Sequence, residues 1–172
     1  MKALKAILLV VVLVAGVVGL IGCTLPAEYV VSQTVVVPAT SDRVFALISH
    51  VQDYPHWRTG VTSVDVLPEE AGQFHWVEET SMGKVPQFLT ANEPVSKRVV
   101  TIDDANLPWG GTWTYQVVPQ GYTTKLTITE RGYVKNVYLR FADKFLLGKP
   151  VDRSFDHFPP GIATSANQVS AK

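Results

Sequence analysis

The chain has a single cysteine and no excess of charge of either sign. Cys23 is the only cysteine among 172 residues, and it lies in an apolar segment near the N-terminus. The rest of the chain therefore cannot contain a disulfide, a cysteine-based metal site or a cysteine nucleophile. Fifteen basic and fifteen acidic side chains cancel, and no basic cluster is interleaved with aromatic residues. Nucleic acid is consequently not expected as a partner.

Recognisable catalytic motifs are also missing. The histidines, His50, His56, His75 and His157, are scattered and have no compact ligand spacing. No serine lies in a Gly-x-Ser-x-Gly elbow, and no nucleotide-binding fingerprint is present. The sequence therefore predicts neither a metal ion nor a cofactor.

A long apolar run at the N-terminus predicts membrane anchoring. Lys2 and Lys5 precede an uncharged stretch from Ala6 to Ala27. About 20 apolar helical residues cross roughly 30 Å of hydrocarbon, so this stretch can span a bilayer with the lysines on the cytoplasmic side. Alternatively, Leu20–Cys23 resembles a bacterial lipobox, and Cys23 would carry the lipid of a lipoprotein after removal of its signal peptide. Both interpretations predict an extracytoplasmic body, periplasmic or extracellular.

The remaining sequence predicts one α+β domain. A β-branched strand (29–37) is followed by two short helices (41–48 and 51–57). Period-two alternation then predicts six antiparallel strands at 61–67, 73–79, 84–93, 98–103, 111–119 and 123–134. Aromatic residues at helical spacing from Tyr138 to Phe158 predict a long last helix, interrupted near Pro150. We therefore assign residues 1–28 to the anchor, 29–158 to the domain and 159–172 to a disordered tail, and we expect a monomer.

This order of elements resembles the START-like (SRPBCC) superfamily of polyketide cyclases and lipid-transfer proteins. The resemblance covers about residues 29–148 and rests on residues 35–39, 43–48, 51–58, 107–115 and 126–132, of which 53–57 form the Asp-Tyr-Pro-His-Trp element. It implies a helix-grip fold, in which a curved antiparallel sheet of about seven strands surrounds a long C-terminal helix. It also implies an apolar cavity for lipids, polyketides or other hydrophobic ligands. Pro150 and Pro159 depart from the smooth last helix of the superfamily.

Strand parity, in which residues two apart share a face, assigns candidate site residues. Glu78 and Glu130 share their faces with apolar residues, which makes them candidate catalytic carboxylates or ligand anchors with raised pKa values. Alternatively, both lie at strand ends, where they reach water or pair with Arg131, Lys84 or Arg98. The candidate ligand-lining residues, which would equally suit a plain core, are Trp76, Phe88, Trp113, Tyr115, Phe141 and Phe155. The residues predicted to be buried are Val36, Phe45, Leu47, Trp113, Tyr115, Leu126, Ile128 and Phe141.

The chemistry of these residues favours a binding function over catalysis. We expect a membrane-tethered binding or carrier domain whose partner is a hydrophobic small molecule or lipid. One alternative is a cyclase- or dehydratase-like enzyme that uses Glu78 or Glu130 as a base. Another is a structural protein of the cell envelope whose interior is filled by its own side chains.

Overall fold

The fold is an antiparallel meander preceded by three helices. The computed structural model describes residues 2–58, 60–81, 83–102, 104–147 and 168–169. Its helices are α1 (Lys2–Thr24), α2 (Ser41–Ser49), α3 (Tyr54–Trp57) and α4 (Val137–Ala142), with a 3-10 turn at Val51–Asp53 and a π-helix at Asp143–Leu147. Its strands are β1 (Glu28–Val37), β2 (Val61–Val66), β3 (His75–Thr80), β4 (Gly83–Glu93), β5 (Lys97–Ile102), β6 (Trp109–Gln120), β7 (Thr123–Val134) and β8 (Gln168–Val169).

The strands form one curved antiparallel sheet in the order β2-β3-β4-β5-β6-β7-β1-β8. From β2 to β7 each strand pairs with the next one in sequence. Gly83 and Gly121 have φ values of 103° and 64° where β3 turns into β4 and β6 into β7, a conformation that glycine adopts most readily. A register shift between Leu89 and Ala91 marks a bulge in β4, and bulges bend strands. The predicted curved sheet of about seven strands is confirmed.

One face of this sheet is buried, and we call it the inner face. Burial alternates along β7, where Leu126, Ile128 and Glu130 are buried and the residues between them are more exposed. The register places these three beside Val117, Tyr115 and Trp113 of β6. The inner face consists of Gln33, Val35, Val37, Trp76, Glu78, Val85, Gln87, Arg98, Val100, Ile102, Trp113, Tyr115, Val117, Leu126, Ile128 and Glu130.

The short helices pack against the inner face and form the core with it. Val44, Phe45 and Ile48 of α2 are buried, and they join a cluster with Leu126 and Ile128. Thr124 donates its hydroxyl proton to the Ala39 carbonyl oxygen at 2.7 Å, which fixes the chain just before α2. A second cluster surrounds the fully buried Trp76 and contains Val51, Tyr54, Val61 and Val100.

Most of the predicted core residues lie in or against these clusters. Phe45, Leu126 and Ile128 are buried, while Leu47, Trp113 and Tyr115 are half-buried against the first cluster. The prediction for Val36 was wrong, because the pairing of Val35 with Leu126 puts Val35 and Val37 on the inner face and turns Val36 away from it. Phe141 is half-buried, and its ring lies 4.8 Å from that of Phe145.

The N-terminal helix α1 is long and apolar enough to cross a membrane, and it contacts α4 near its own C-terminal end. Gly22 is buried in this contact, and a Cβ atom added there would overlap the Val137 carbonyl. A Cβ atom at Gly19 would lie 3.3 Å from the Tyr138 hydroxyl oxygen. The small glycines therefore allow α4 to begin directly on the surface of α1. Cys23, the residue next to this contact, is exposed.

The last helix begins at Val137, one residue before the predicted aromatic face starts at Tyr138, and is described as far as Leu147. The predicted interruption at Pro150, the candidate Phe155 and almost all of the predicted disordered tail lie outside the described residues. Within that tail, Gln168 and Val169 pair with Thr34 and Gln33 at the outer edge of β1.

Candidate ligand-binding site

The inner face carries buried polar side chains in an otherwise apolar surface. Among the described residues, those that are buried and polar are Gln33, Glu78, Gln87, Arg98, Thr124 and Glu130. Burying a charged group is costly unless it is paired and hydrogen-bonded. The partners of the charged members therefore indicate what this surface is built to do.

Glu78 is held in a buried ion pair. Arg58, the residue after α3, donates from Nη1 to Glu78 Oε1 at 2.8 Å, and Trp76 donates from Nε1 to the same oxygen at 3.1 Å. The Glu78 side chain is 2% exposed and that of Arg58 is 26% exposed. Burial lowers the pKa of Arg58, but Glu78 and two nearby tyrosines more than compensate, so the pKa of Arg58 is raised and the guanidinium stays charged. This pair locks the end of α3 onto β3.

Glu130 is paired with a tyrosine of the first strand. The Tyr29 hydroxyl donates to Glu130 Oε1 at 2.6 Å, and Glu130 is 4% exposed. Tyr29 lies opposite Gly132 in the β1–β7 register. A Cβ atom at Gly132 would overlap the Tyr29 ring, so the glycine provides the space through which the ring reaches Glu130.

Arg98 is buried and has no anionic partner among the residues that the structure describes. It is 3% exposed, and none of those residues accepts a hydrogen bond from its Nε or Nη2 atom. Its guanidinium carbon lies 5.8 Å from the centre of the Trp76 ring, and Arg98 is paired with Tyr115 across β5 and β6. The Glu78 carboxylate beside Trp76 is already bound by Arg58.

Two tyrosines complete the polar part of the site as neutral hydroxyl groups. Tyr54 donates to the Ile48 carbonyl oxygen at 2.8 Å. Burial is the main cause that raises the pKa of Tyr54 and of Tyr115, although Arg58 and Arg98 partly oppose the rise. Both hydroxyls therefore keep their protons well above neutral pH and remain hydrogen-bond donors.

The structure brings some of the predicted site residues together and separates others. Trp76, Trp113 and Tyr115 lie on the inner face, as do Glu78 and Glu130. The prediction for Phe88 was wrong: Gln87 shares the face of Trp76, so Phe88 lies on the opposite face, where its ring stacks on His75 at 5.7 Å. Phe141 lies on α4 rather than on the sheet.

Sequence reasoning missed Tyr54, Arg58 and Arg98 as site residues. The Asp-Tyr-Pro-His-Trp element contains Tyr54 and ends one residue before Arg58, so it signalled this part of the site. Arg98 shares its strand face with the apolar residues Val100 and Ile102. The same alternation identified Glu78 and Glu130 as candidates, but among the charged residues it was applied only to these carboxylates. The expected alternative partners of Glu78 were Arg131, Lys84 and Arg98, whereas its partner is Arg58.

Comparisons with known proteins agree with this architecture. The family model described as polyketide cyclase / dehydrase and lipid transport matches residues 29–158. The chain belongs to this family. No curated protein sequence matches the chain.

Solved structures share the fold at low sequence identity. Norcoclaurine synthase from Thalictrum flavum has a TM-score of 0.58 and 12% identity, and the match covers 80% of this chain and 87% of the synthase chain. A START superfamily protein from Mycobacterium smegmatis has a TM-score of 0.53 and 16% identity, covering 74% and 86%. The Zhui aromatase/cyclase from a Streptomyces species has a TM-score of 0.55 and 15% identity, covering 62% and 68%. At these identities the likeness establishes the fold alone.

Proposed function

We propose that the protein is a membrane-tethered binding or carrier protein for a hydrophobic small molecule or lipid held against the inner face. The observation that carries this proposal is the set of charged side chains at the centre of an apolar sheet face. A domain that needed only a packed core would gain stability from apolar residues at these positions. Ligand sites, in contrast, are mostly apolar surfaces with a few polar groups that fix orientation.

Half-buried aromatic residues supply the apolar part of the proposed site. Trp113 and Tyr115 lie side by side on the inner face of β6 and are not closed off completely by the described residues. Aromatic rings offer large contact areas to an apolar ligand. The family, whose description includes lipid transport, supports the same class of ligand.

The contact between α1 and α4 supports a position at the membrane surface. If residues 6–25 span the bilayer, Gly19 and Gly22 lie only about 9 and 4.5 Å along the helix from its outer end, at 1.5 Å per residue. In the segment that begins on these glycines, the large apolar side chains described as exposed include Tyr138, Leu139, Phe145 and Leu146. Apolar and aromatic side chains at this depth suit the boundary between headgroups and hydrocarbon, where a lipid-like ligand is available.

This contact also bears on the choice between the two anchors. Cleavage before Cys23 would remove Gly19 and Gly22 and with them the contact to α4. We therefore favour a retained spanning helix over a lipidated Cys23, with the body on the extracytoplasmic side. Cys23→Ser tests the choice: with a spanning helix, membrane retention is unchanged and the mass changes only by the substitution itself, whereas a lipoprotein would lose its lipid label.

A cyclase- or dehydratase-like enzyme is the second candidate, and the Glu130–Tyr29 pair favours it. A buried carboxylate at 2.6 Å from a hydroxyl is an arrangement that can move a proton. Glu78 accepts from two donors at its Oε1 atom, Arg58 Nη1 and Trp76 Nε1. In an enzyme, Glu130→Gln would abolish turnover and leave ligand affinity almost unchanged, whereas in a carrier it would change only affinity.

Binding of a neutral apolar probe tests the proposed function. The full-length chain in nanodiscs with a tryptophan-free scaffold is titrated with 1-pyrenebutyramide, and energy transfer from tryptophan to pyrene is measured. We expect saturable binding that weakens at least fivefold in Tyr115→Ala. Val118→Ala is the matched control, because Val118 lies on the same strand and is exposed on the other face. Absence of saturable transfer would favour the structural alternative, an interior filled by side chains.

A further inference from the structure

Arg98 has unused binding capacity on the inner face, and it is almost completely buried. Within the described part of the chain, its Nε and Nη2 atoms have no hydrogen-bond partner. The ion pairs formed there are Arg58–Glu78 and Lys97–Glu93, and neither includes Arg98. A buried cation that lacks an anion is expensive, so a protein retains one where something else supplies the missing charge.

The positions of the free atoms specify the shape of the missing partner. Nε and Nη2 form one edge of the planar guanidinium group, and their N–H bonds point in the same direction. This edge matches the two oxygens of a carboxylate, which arginine binds through two parallel hydrogen bonds. A single uncompensated cation also matches a single negative charge better than it matches a phosphate dianion.

The surroundings of Arg98 specify the rest of the ligand. The Trp76 ring lies under the guanidinium, and Val100 on the same strand face is buried. Tyr115, at the paired position of β6, is half-buried and keeps its hydroxyl proton. These neighbours provide apolar contact area and one further donor near the guanidinium.

We propose that Arg98 binds the carboxylate of an apolar acid, such as a fatty or aromatic carboxylic acid, whose hydrocarbon part lies on the inner face. This inference rests on the proposed function and deepens it, because it names the ligand's polar group. Arg98 orients the ligand with its acid group toward β5, while Trp113 and Tyr115 contact the apolar part.

Two probes that differ in charge test this assignment. 1-Pyrenebutyrate and its neutral amide, 1-pyrenebutyramide, are compared in the full-length chain in nanodiscs by energy transfer from tryptophan. We expect the wild-type protein to bind the acid at least tenfold more tightly than the amide. Arg98→Met should bring this ratio close to one while the affinity for the amide stays within about threefold. Arg98→Lys should keep a reduced preference, because lysine supplies the charge without the two-pronged geometry.

Lys97→Met is the matched control, because it removes one positive charge from the residue next to Arg98. Lys97 does not face the inner face; its ammonium group pairs with Glu93 at 3.1 Å. It should leave the tenfold preference intact. If Arg98→Met fails to fold by circular dichroism, the ratio in Arg98→Lys and in Lys97→Met decides the question.

The outcomes separate this inference from the proposed function. Saturable binding of both probes with equal affinity in the wild type would overturn the role of Arg98 and leave the proposed function standing. A preference for the acid that persists in Arg98→Met would also overturn it. Failure of both probes to bind would contradict the proposed function itself.

Discussion

Replacing Glu78 by glutamine tests whether the polar centre of the inner face is held by its ion pair. The change preserves the shape of the side chain and leaves an amide oxygen that can still accept from Trp76 Nε1. In the wild type, this donor lies 3.1 Å from Glu78 Oε1. It removes the charge that Arg58 contacts at 2.8 Å. The loss in stability therefore reports on the charge rather than on packing.

The magnitude follows from the burial of the two partners. Breaking a fully buried ion pair costs about 3–5 kcal/mol, because one charge is left without a partner in the interior. The Arg58 side chain is 26% exposed, so its charge reaches water and part of this cost is avoided. We expect the free energy of unfolding to fall by about 2 kcal/mol in Glu78→Gln. In Glu78→Ala we expect a fall of about 3–4 kcal/mol, because Trp76 Nε1 then also loses its acceptor.

Urea unfolding in detergent micelles, followed by tryptophan fluorescence, measures these changes. A double-mutant cycle with Arg58→Met should give a coupling energy of about 1–3 kcal/mol between the two residues. Glu79→Gln is the control, because Glu79 is adjacent and on the opposite face of β3. A loss in Glu78→Gln no larger than that in Glu79→Gln would refute the reasoning.

Three further predictions concern the glycines and the buried tyrosine. Gly132→Ala should displace the Tyr29 ring and lower the free energy of unfolding by about 1–3 kcal/mol, and a normal urea midpoint would contradict this. Gly22→Leu should break the contact of α1 with Val137 and speed proteolysis near α4 without changing the strand content seen by circular dichroism, whereas unaltered cleavage would disprove the packing. Stability should fall as the pH rises above about 10, where Tyr54 loses its hydroxyl proton in the unfolded chain. In the folded chain the raised pKa of Tyr54 retains this proton, so deprotonation favours the unfolded state. Tyr54→Phe should make this fall less steep, and an identical slope would count against it.

The order and type of the elements could be predicted from local pattern. The six strands of the meander alternate with period two and are separated by turns containing glycine or proline, so their limits agree with the structure to within about two residues. The first strand was placed correctly, but its inner face was not. Its end reads Val35-Val36-Val37, so hydrophobicity does not distinguish the two faces, and only the register with β7 does.

The partners within the site could not be predicted in the same way. Arg58 and Glu78 are 20 residues apart and meet because α3 ends against β3, a contact that depends on tertiary packing. Tyr29 and Glu130 are 101 residues apart and meet because β1 closes the sheet against β7. Parity could identify which polar residues share a face with apolar ones, but not which of them are paired. Only the structure therefore shows that Arg98 has no ion-pair partner among the described residues.

Native mass spectrometry of the full-length protein released from membranes tests the central claim most directly. The account predicts one apolar molecule bound to each chain, and its loss in Tyr115→Ala but not in Val118→Ala. An extractable molecule bearing a carboxylate would agree further with the role assigned to Arg98. A chain that carries no small molecule and takes up none when apolar acids, alcohols and lipids are added would contradict the claim that the inner face is a binding site.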